Sequence, residues 1–128
     1  MVSLAILDEI TPGNRHAAGG LELERSTTTL REIIRLRVRQ EVERFNDGAT
    51  EVFRGLVQPE ESERILNGVR QRPVVDWEKQ FEKAVAAFRG NGLLVLVDDR
   101  QVTDLDEPID LQPQTKVTFL KLVPLVGG

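Results

Sequence analysis

Apolar and polar positions alternate near both ends of the chain and recur every three to four residues in its middle, so strands are expected to flank helices. Val2 to Ile10 is mostly apolar, contains β-formers and stops at Thr11-Pro12-Gly13-Asn14, a run of turn residues. Gly19-Gly20 then precedes the alternating Leu21-Glu22-Leu23-Glu24, so the first 24 residues read as a wide hairpin with a long loop. Thr29 followed by Glu32 fits a capping box and starts a helix. Leu30, Ile33, Ile34, Val38, Val42 and Phe45 place its apolar face, and Asn46-Asp47-Gly48 ends it. Arg31, Arg35, Arg37, Arg39 and Glu43 fall on the other face. That row reads as solvated, with docking of an acidic partner as the less favoured alternative.

Residues 47–92 read as two short helices with connections. The first, Pro59 to Gly68, has proline at an allowed first position, acids in its first turn and glycine at its end. The second is capped by Asp76, carries Trp77, Phe81, Ala84, Val85 and Phe88 at helical spacing, and stops at Gly90-Asn91-Gly92. Trp77 is expected to anchor a core rather than stack on a ligand. Leu93 to Val97 is a continuous apolar run and therefore a strand. Asp98 to Val102 turns the chain, Asp104 to Gln114 is a polar connection, and Thr115 to Leu120 alternates as the last strand. The chain then runs through Lys121 and Pro124 into Gly127-Gly128.

Composition narrows the class. One domain with a modest core is expected from 128 residues, 40% hydrophobic and 30% charged. The absence of cysteine removes thiol catalysis, cysteine-based metal sites and disulfides, and suits a reducing cytosol. His16, the single histidine, has no partner type for a metal site. A net charge of −4 argues against nucleic acid or an anionic membrane as the partner of the whole chain. Neither a membrane span nor a signal core is visible, so the protein is expected to be cytoplasmic. Asp98-Asp99 and Asp104-Asp106-Glu107 read as turn carboxylates rather than an acid/base pair, and Gly90-Asn91-Gly92 lacks the lysine and hydroxyl of a phosphate cradle. No catalytic residue and no metal ligand is assigned.

The element order is strand, strand, helix, helical insert, strand, connection, strand, and then a short apolar tail ending in two glycines. In that order, and in Leu93 to Val102 and Val117 to Gly128, the chain resembles the β-grasp ubiquitin-like superfamily. Val102 to Ile109 also resembles the small sulfur carriers of molybdopterin biosynthesis. Pro124 departs from the basic residue that ubiquitin has there and agrees with the proline of the sulfur carriers. The resemblance implies an α+β fold: a mixed sheet of four or five strands packed on one main helix. It implies a single domain over 1–128, with a helical insert at 47–92 that has no counterpart in either relative and a tail at 121–128.

It also implies a function. In the family an activating enzyme adenylates the terminal carboxylate with ATP and passes the acyl group to a sulfur nucleophile. Gly128 would be the acyl donor and Gly127 the residue that clears a narrow cleft, with Pro124, Leu125 and Val126 contacting the enzyme. Glycine forms roughly 7% of residues, so two in succession at a chain end arise by chance in about 0.5% of chains. The chain would need no cofactor of its own, since ATP is used by the partner. A conjugating enzyme, a deconjugating protease and a target protein or small molecule complete the expected partners. Two alternatives stay open: a sulfur carrier bearing a terminal thiocarboxylate, and a non-covalent binding module.

Alternation sends Val95, Val97, Val117 and Phe119 toward the helix and Leu94, Leu96, Thr118 and Leu120 outward. Leu94, Leu96 and Leu120 would then form a partner-binding patch, unless the insert covers them as core.

Overall fold

Val2–Ile10 forms strand β1 and pairs antiparallel with β2, Asn14–Leu23, in the computed structural model, which describes residues 2–10, 14–46 and 75–122. The hairpin is longer than its turn residues suggest. His16, Ala17, Ala18, Gly19 and Gly20, expected in a loop, belong to β2, and His16 lies opposite Asp8. Small residues form strands poorly by themselves, so here the ladder to β1 overrides local preference. The register slips between Ala5 and Leu7, which face Gly20 and Ala17, and this leaves Ala18 and Gly19 opposite Ile6 as a bulge. Gly19 takes φ +98°, and a Cβ on Gly20 would meet the Leu4 carbonyl oxygen at 3.0 Å. Both glycines are needed at this kink.

Four further strands follow: β3 (Thr27–Thr29), β4 (Leu93–Val97), β5 (Arg100–Val102) and β6 (Pro108–Asp110), and the last is β7 (Lys116–Lys121). The main sheet has the order β2-β1-β7-β4-β5, with β1 and β7 parallel and the other neighbours antiparallel. Its first and last strands are therefore side by side near the centre. A second sheet pairs β3 with β6, neither of which the hydrophobic pattern singles out. Three-residue strands carry too few side chains for a period, and this pair is held by the backbone and by Thr27 Oγ1 donating to Asp110 Oδ1 at 3.0 Å. Among the described residues the helices are α1 (Leu30–Asn46) and α2 (Trp77–Arg89). The described residues thus form an α+β arrangement, with a five-stranded mixed sheet and two helices.

The chain divides into two compact units, Met1–Ile33 with Ala87–Gly128, and Ile34–Ala86. In the first, Leu4, Ile6, Leu21, Leu93, Val95, Val102, Val117 and Phe119 are buried on the strands, with Leu30, Leu105, Ile109 and Leu111. The strand tips are locked by Asp98, which takes the left-handed conformation at φ 54° in the two-residue turn between β4 and β5. Its N–H donates to the Lys116 carbonyl at 2.7 Å, and its carboxylate accepts from the Lys116 N–H at 3.0 Å.

Helix ends follow the expected chemistry. Thr29 Oγ1 accepts from the Glu32 N–H at 3.3 Å, and Asp76 Oδ1 from the Glu78 N–H at 3.0 Å. The end of α2 is a Schellman turn: the Gly92 N–H donates to the Ala87 carbonyl at 2.8 Å, the Asn91 N–H to Phe88 at 3.2 Å, and Asn91 holds φ 62°. Asparagine, not either neighbouring glycine, occupies the left-handed position.

The second unit buries Ile34, Val38, Val42, Phe45, Val75, Ala84 and Val85, together with Arg37 and Gln80. Two expectations change here. Trp77 is only half-buried, with the Arg39 guanidinium 5.4 Å from its ring centre, and Phe81 is half-buried too, so the tryptophan is a margin contact instead of a core anchor. The arginine row is not uniformly solvated. Arg37 is 2% exposed and meets Glu41 at 3.0 Å, whereas Arg39 pairs in the open with Glu43. The helix expected over 59–68 lies outside the described residues.

Candidate functional site

Strand β7 ends at Lys121, and its last residues are held from both sides. Lys121 lies in register with Ile10 on β1 and with Leu93 on β4. The Leu122 N–H then donates to the Gly92 carbonyl at 3.0 Å, and Lys121 Nζ lies 3.6 Å from a carboxylate oxygen of Asp8. Asp8 follows Leu4 and Ile6 at the two-residue period that buries one side of β1, and is 5% exposed. A carboxylate at such a position needs a charged or polar partner. Its polarity in the sequence was the available signal for this contact, and the hairpin reading passed over it.

The chain therefore leaves the sheet from its central strand, at a root fixed by backbone pairing and an ion pair. Beyond it, Pro124, Leu125, Val126, Gly127 and Gly128, the residues assigned to acyl transfer and enzyme contact, lie outside the described residues, as does Val123.

The other expected site residues are brought together. Leu94 is directly opposite Leu120, and Leu96 is opposite Thr118, which in turn faces Leu7 on β1. Leu94, Leu96, Leu120 and Leu7 are half-buried while their neighbours Val95, Val117 and Phe119 are fully buried. Thr118 belongs to the outer row by register but is 2% exposed, which differs from the expected outward threonine. It sits between Leu7 and Leu96, so the row is closely filled across three strands.

An open groove of about 960 Å³ adjoins the outer row, lined by Ala5, Leu7, Arg15, Asp98, Lys116 and Thr118 among others. Two of its charges have structural roles: Arg15 Nε lies 2.9 Å from Glu9, and Asp98 caps the Lys116 amide. Elsewhere Arg31 clasps Asp106 through Nε at 2.9 Å and Nη2 at 3.2 Å. That hydrogen bond, reinforced by the arginine charge and opposed by desolvation, lowers the Asp106 pKa. Asp106 is thereby an ionised anchor and a poor general acid. Among the described residues no three His, Asp or Glu side chains could hold a metal ion, and no helix is long and apolar enough to cross a membrane. No family model matches the chain, and neither a curated protein nor a solved structure does.

Proposed function

We propose that the protein is a ubiquitin-like modifier on a β-grasp fold, activated at the carboxylate of Gly128. The observation that carries this reading is the root of the tail. A central strand, held at its end by Leu122 to Gly92 and Lys121 to Asp8, leads into six residues that finish with two glycines. Such a root holds the departure point still while the tail enters a partner's cleft, which reduces the ordering cost of the complex. The parallel pairing of β1 with β7 also supports a β-grasp, in which an N-terminal hairpin and a returning final strand share one sheet and a helix lies between them in sequence.

The chemistry needs no catalytic group from this chain. A carboxylate oxygen of Gly128 attacks the α-phosphorus of ATP on the activating enzyme and pyrophosphate leaves. A thiolate of the partner then attacks the acyl carbon, AMP leaves, and an amine of the target finally displaces the thiolate. Gly127 and Gly128 offer no Cβ to obstruct the cleft, and Leu94, Leu96 and Leu120 supply an apolar surface for recognition.

A sulfur carrier is the second reading, favoured by Pro124 and by the Asp104 to Ile109 segment. The two are separated by recovering N-terminally tagged protein from its native host under conditions that preserve thioesters. Higher-mass adducts that disappear when Gly127 and Gly128 are deleted support the modifier. A free chain with one oxygen-to-sulfur exchange at its end supports the carrier and overturns the modifier. An unmodified mass throughout overturns both and leaves a binding module.

A further inference from the structure

The turn that ends α2 carries two residues in an order that its geometry does not require. Asn91 takes the left-handed conformation at φ 62°, a position that glycine fills most easily. Gly92 has no positive φ, and a Cβ there would lie 3.6 Å from the Ala87 carbonyl oxygen, an ordinary contact. Glycine at 91 followed by a residue with a side chain at 92 would satisfy the same turn. The chain instead has asparagine and then glycine, both exposed.

That order has a chemistry of its own. The Gly92 nitrogen gives its proton to hydroxide and forms a C–N bond to the Asn91 side-chain carbonyl carbon, and the amide group takes a proton from water and leaves as ammonia. The product is a five-membered succinimide. Water then opens the ring at either carbonyl. One opening leaves aspartate at position 91 on an ordinary backbone; the other leaves isoaspartate, in which the main chain runs through the former side chain. A following residue without a Cβ hinders the attacking nitrogen least.

The fold opposes the first step. The Gly92 N–H is held by the Ala87 carbonyl at 2.8 Å, so the nitrogen becomes reactive only when the end of α2 opens, and helix ends open locally at far less cost than the core. The fold is also vulnerable to the last step. The Gly92 carbonyl accepts from the Leu122 N–H at 3.0 Å, the link that follows the Leu93 and Lys121 register between β4 and β7. Isoaspartate inserts one carbon, about 1.5 Å of chain, ahead of Gly92. The two hydrogen bonds of Gly92, to the end of α2 and to the end of β7, cannot both absorb that length.

We propose that Asn91 is a self-modification site, restrained by its turn, whose conversion to isoaspartate releases the end of β7 from Gly92. The reactants are the chain itself and water, and the inference does not depend on the modifier reading.

The test ages the full chain at mildly alkaline pH, folded and in urea, and follows the tryptic peptide Gly90 to Arg100 by mass spectrometry. The sequence's other Asn-Gly pair, Asn67-Gly68, falls in a different peptide. Hydrogen exchange of the Gly92 amide needs the same opening and the same base. Conversion in the folded chain should therefore be slower than in urea by a factor that matches the protection of that amide to within several-fold. Equal rates in the two states overturn the restraint, as does a folded chain that stays unconverted for a period that the protection makes sufficient. In the isoaspartate form the Leu122 amide should lose its protection while amides in the middle of β7 keep theirs; an unchanged Leu122 amide overturns the release. Gly92→Ala should keep the fold and slow conversion in urea several-fold. Asn91→Asp adds the charge without the extra carbon and should leave the Leu122 amide protected, so loss of protection there would assign the effect to charge and contradict the proposal.

Discussion

Both units bury polar groups among apolar ones, but the best-defined contact of each is of a different kind. The sheet-bearing unit buries aliphatic side chains and Phe119 on one side of β1, β4 and β7, and also buries Asp8, Thr115 and Thr118, with Asp8 paired to Lys121. The unit of Ile34–Ala86 has Arg37 and Gln80 buried among its apolar residues. It also contains a side chain acting as a backbone: Asn46 Nδ2 donates to the Val75 carbonyl at 2.8 Å, and Asn46 Oδ1 accepts from the Val75 N–H at 3.0 Å. Apolar burial is non-directional and tolerates volume-conserving exchange. Buried polar contacts require a particular partner at a particular distance, and a lost partner leaves a desolvated group. Phe119 in the first unit should therefore respond to volume and Asn46 in the second to chemistry.

The largest expected effect sharpens the first half of that contrast. Phe119→Ala, at a side chain fully shielded from solvent, should lower stability by about 3–5 kcal/mol, whereas Phe119→Leu should retain most of it. Denaturant unfolding monitored by circular dichroism measures both. The second half is broken or upheld at Asn46. Asn46→Ala should cost about 1–3 kcal/mol by leaving two groups of Val75 unpaired, and Asn46→Asp should restore part of the loss by keeping the acceptor for the Val75 N–H. Equal losses for the two variants would mean that the clamp works through packing alone.

Backbone effects come next in size. Gly19→Ala forces a Cβ into φ +98°, and should destabilise by about 1–2 kcal/mol. In the opposite direction, Asn91→Gly relaxes the left-handed position that ends α2 and should raise stability by up to about 1 kcal/mol. Thermal unfolding resolves either change.

The smallest effect concerns pH. The Arg31 hydrogen bond holds the Asp106 pKa below its ordinary value. The linked stability is therefore present above the ordinary aspartate value of about 3.9 and is lost as pH falls through the lowered native value. Arg31→Gln should return the Asp106 carboxyl titration, followed by carbon NMR, upward toward that ordinary value.

What could be read in advance follows the same division. Leu93 to Val97 is apolar throughout, so only the two-residue period of strand geometry divides it, with Val117 to Leu120, into a row that is buried and a row that is half-buried apart from Thr118. Thr118 escaped it, since its burial depends on the size of Leu7 and Leu96 on neighbouring strands. Thr29 and Asp76 marked helix starts through local hydrogen bonds. Asn46, by contrast, reads as a helix stop because its partner is 29 residues away, a separation invisible to local pattern. The extent of β2 was hidden for a similar reason: Ala17 to Gly20 are strand residues only by virtue of β1. Of the candidate site, the register places Leu94 opposite Leu120 and leaves both half-buried, while the ion pair of Lys121 with Asp8 required the register of two strands far apart in sequence.

The central claim is that Gly128 becomes an acyl donor, and Lys121 provides a direct way to test it. Residues 122–128 contain neither lysine nor arginine, so trypsin releases Leu122 to Gly128 as one peptide, or leaves it attached to whatever Gly128 has acylated. Tandem mass spectrometry of tryptic digests from the native host should find this remnant joined through the Gly128 carbonyl to a lysine of another protein. Recovery of the peptide only with a free terminal carboxylate, in every preparation, would contradict the account.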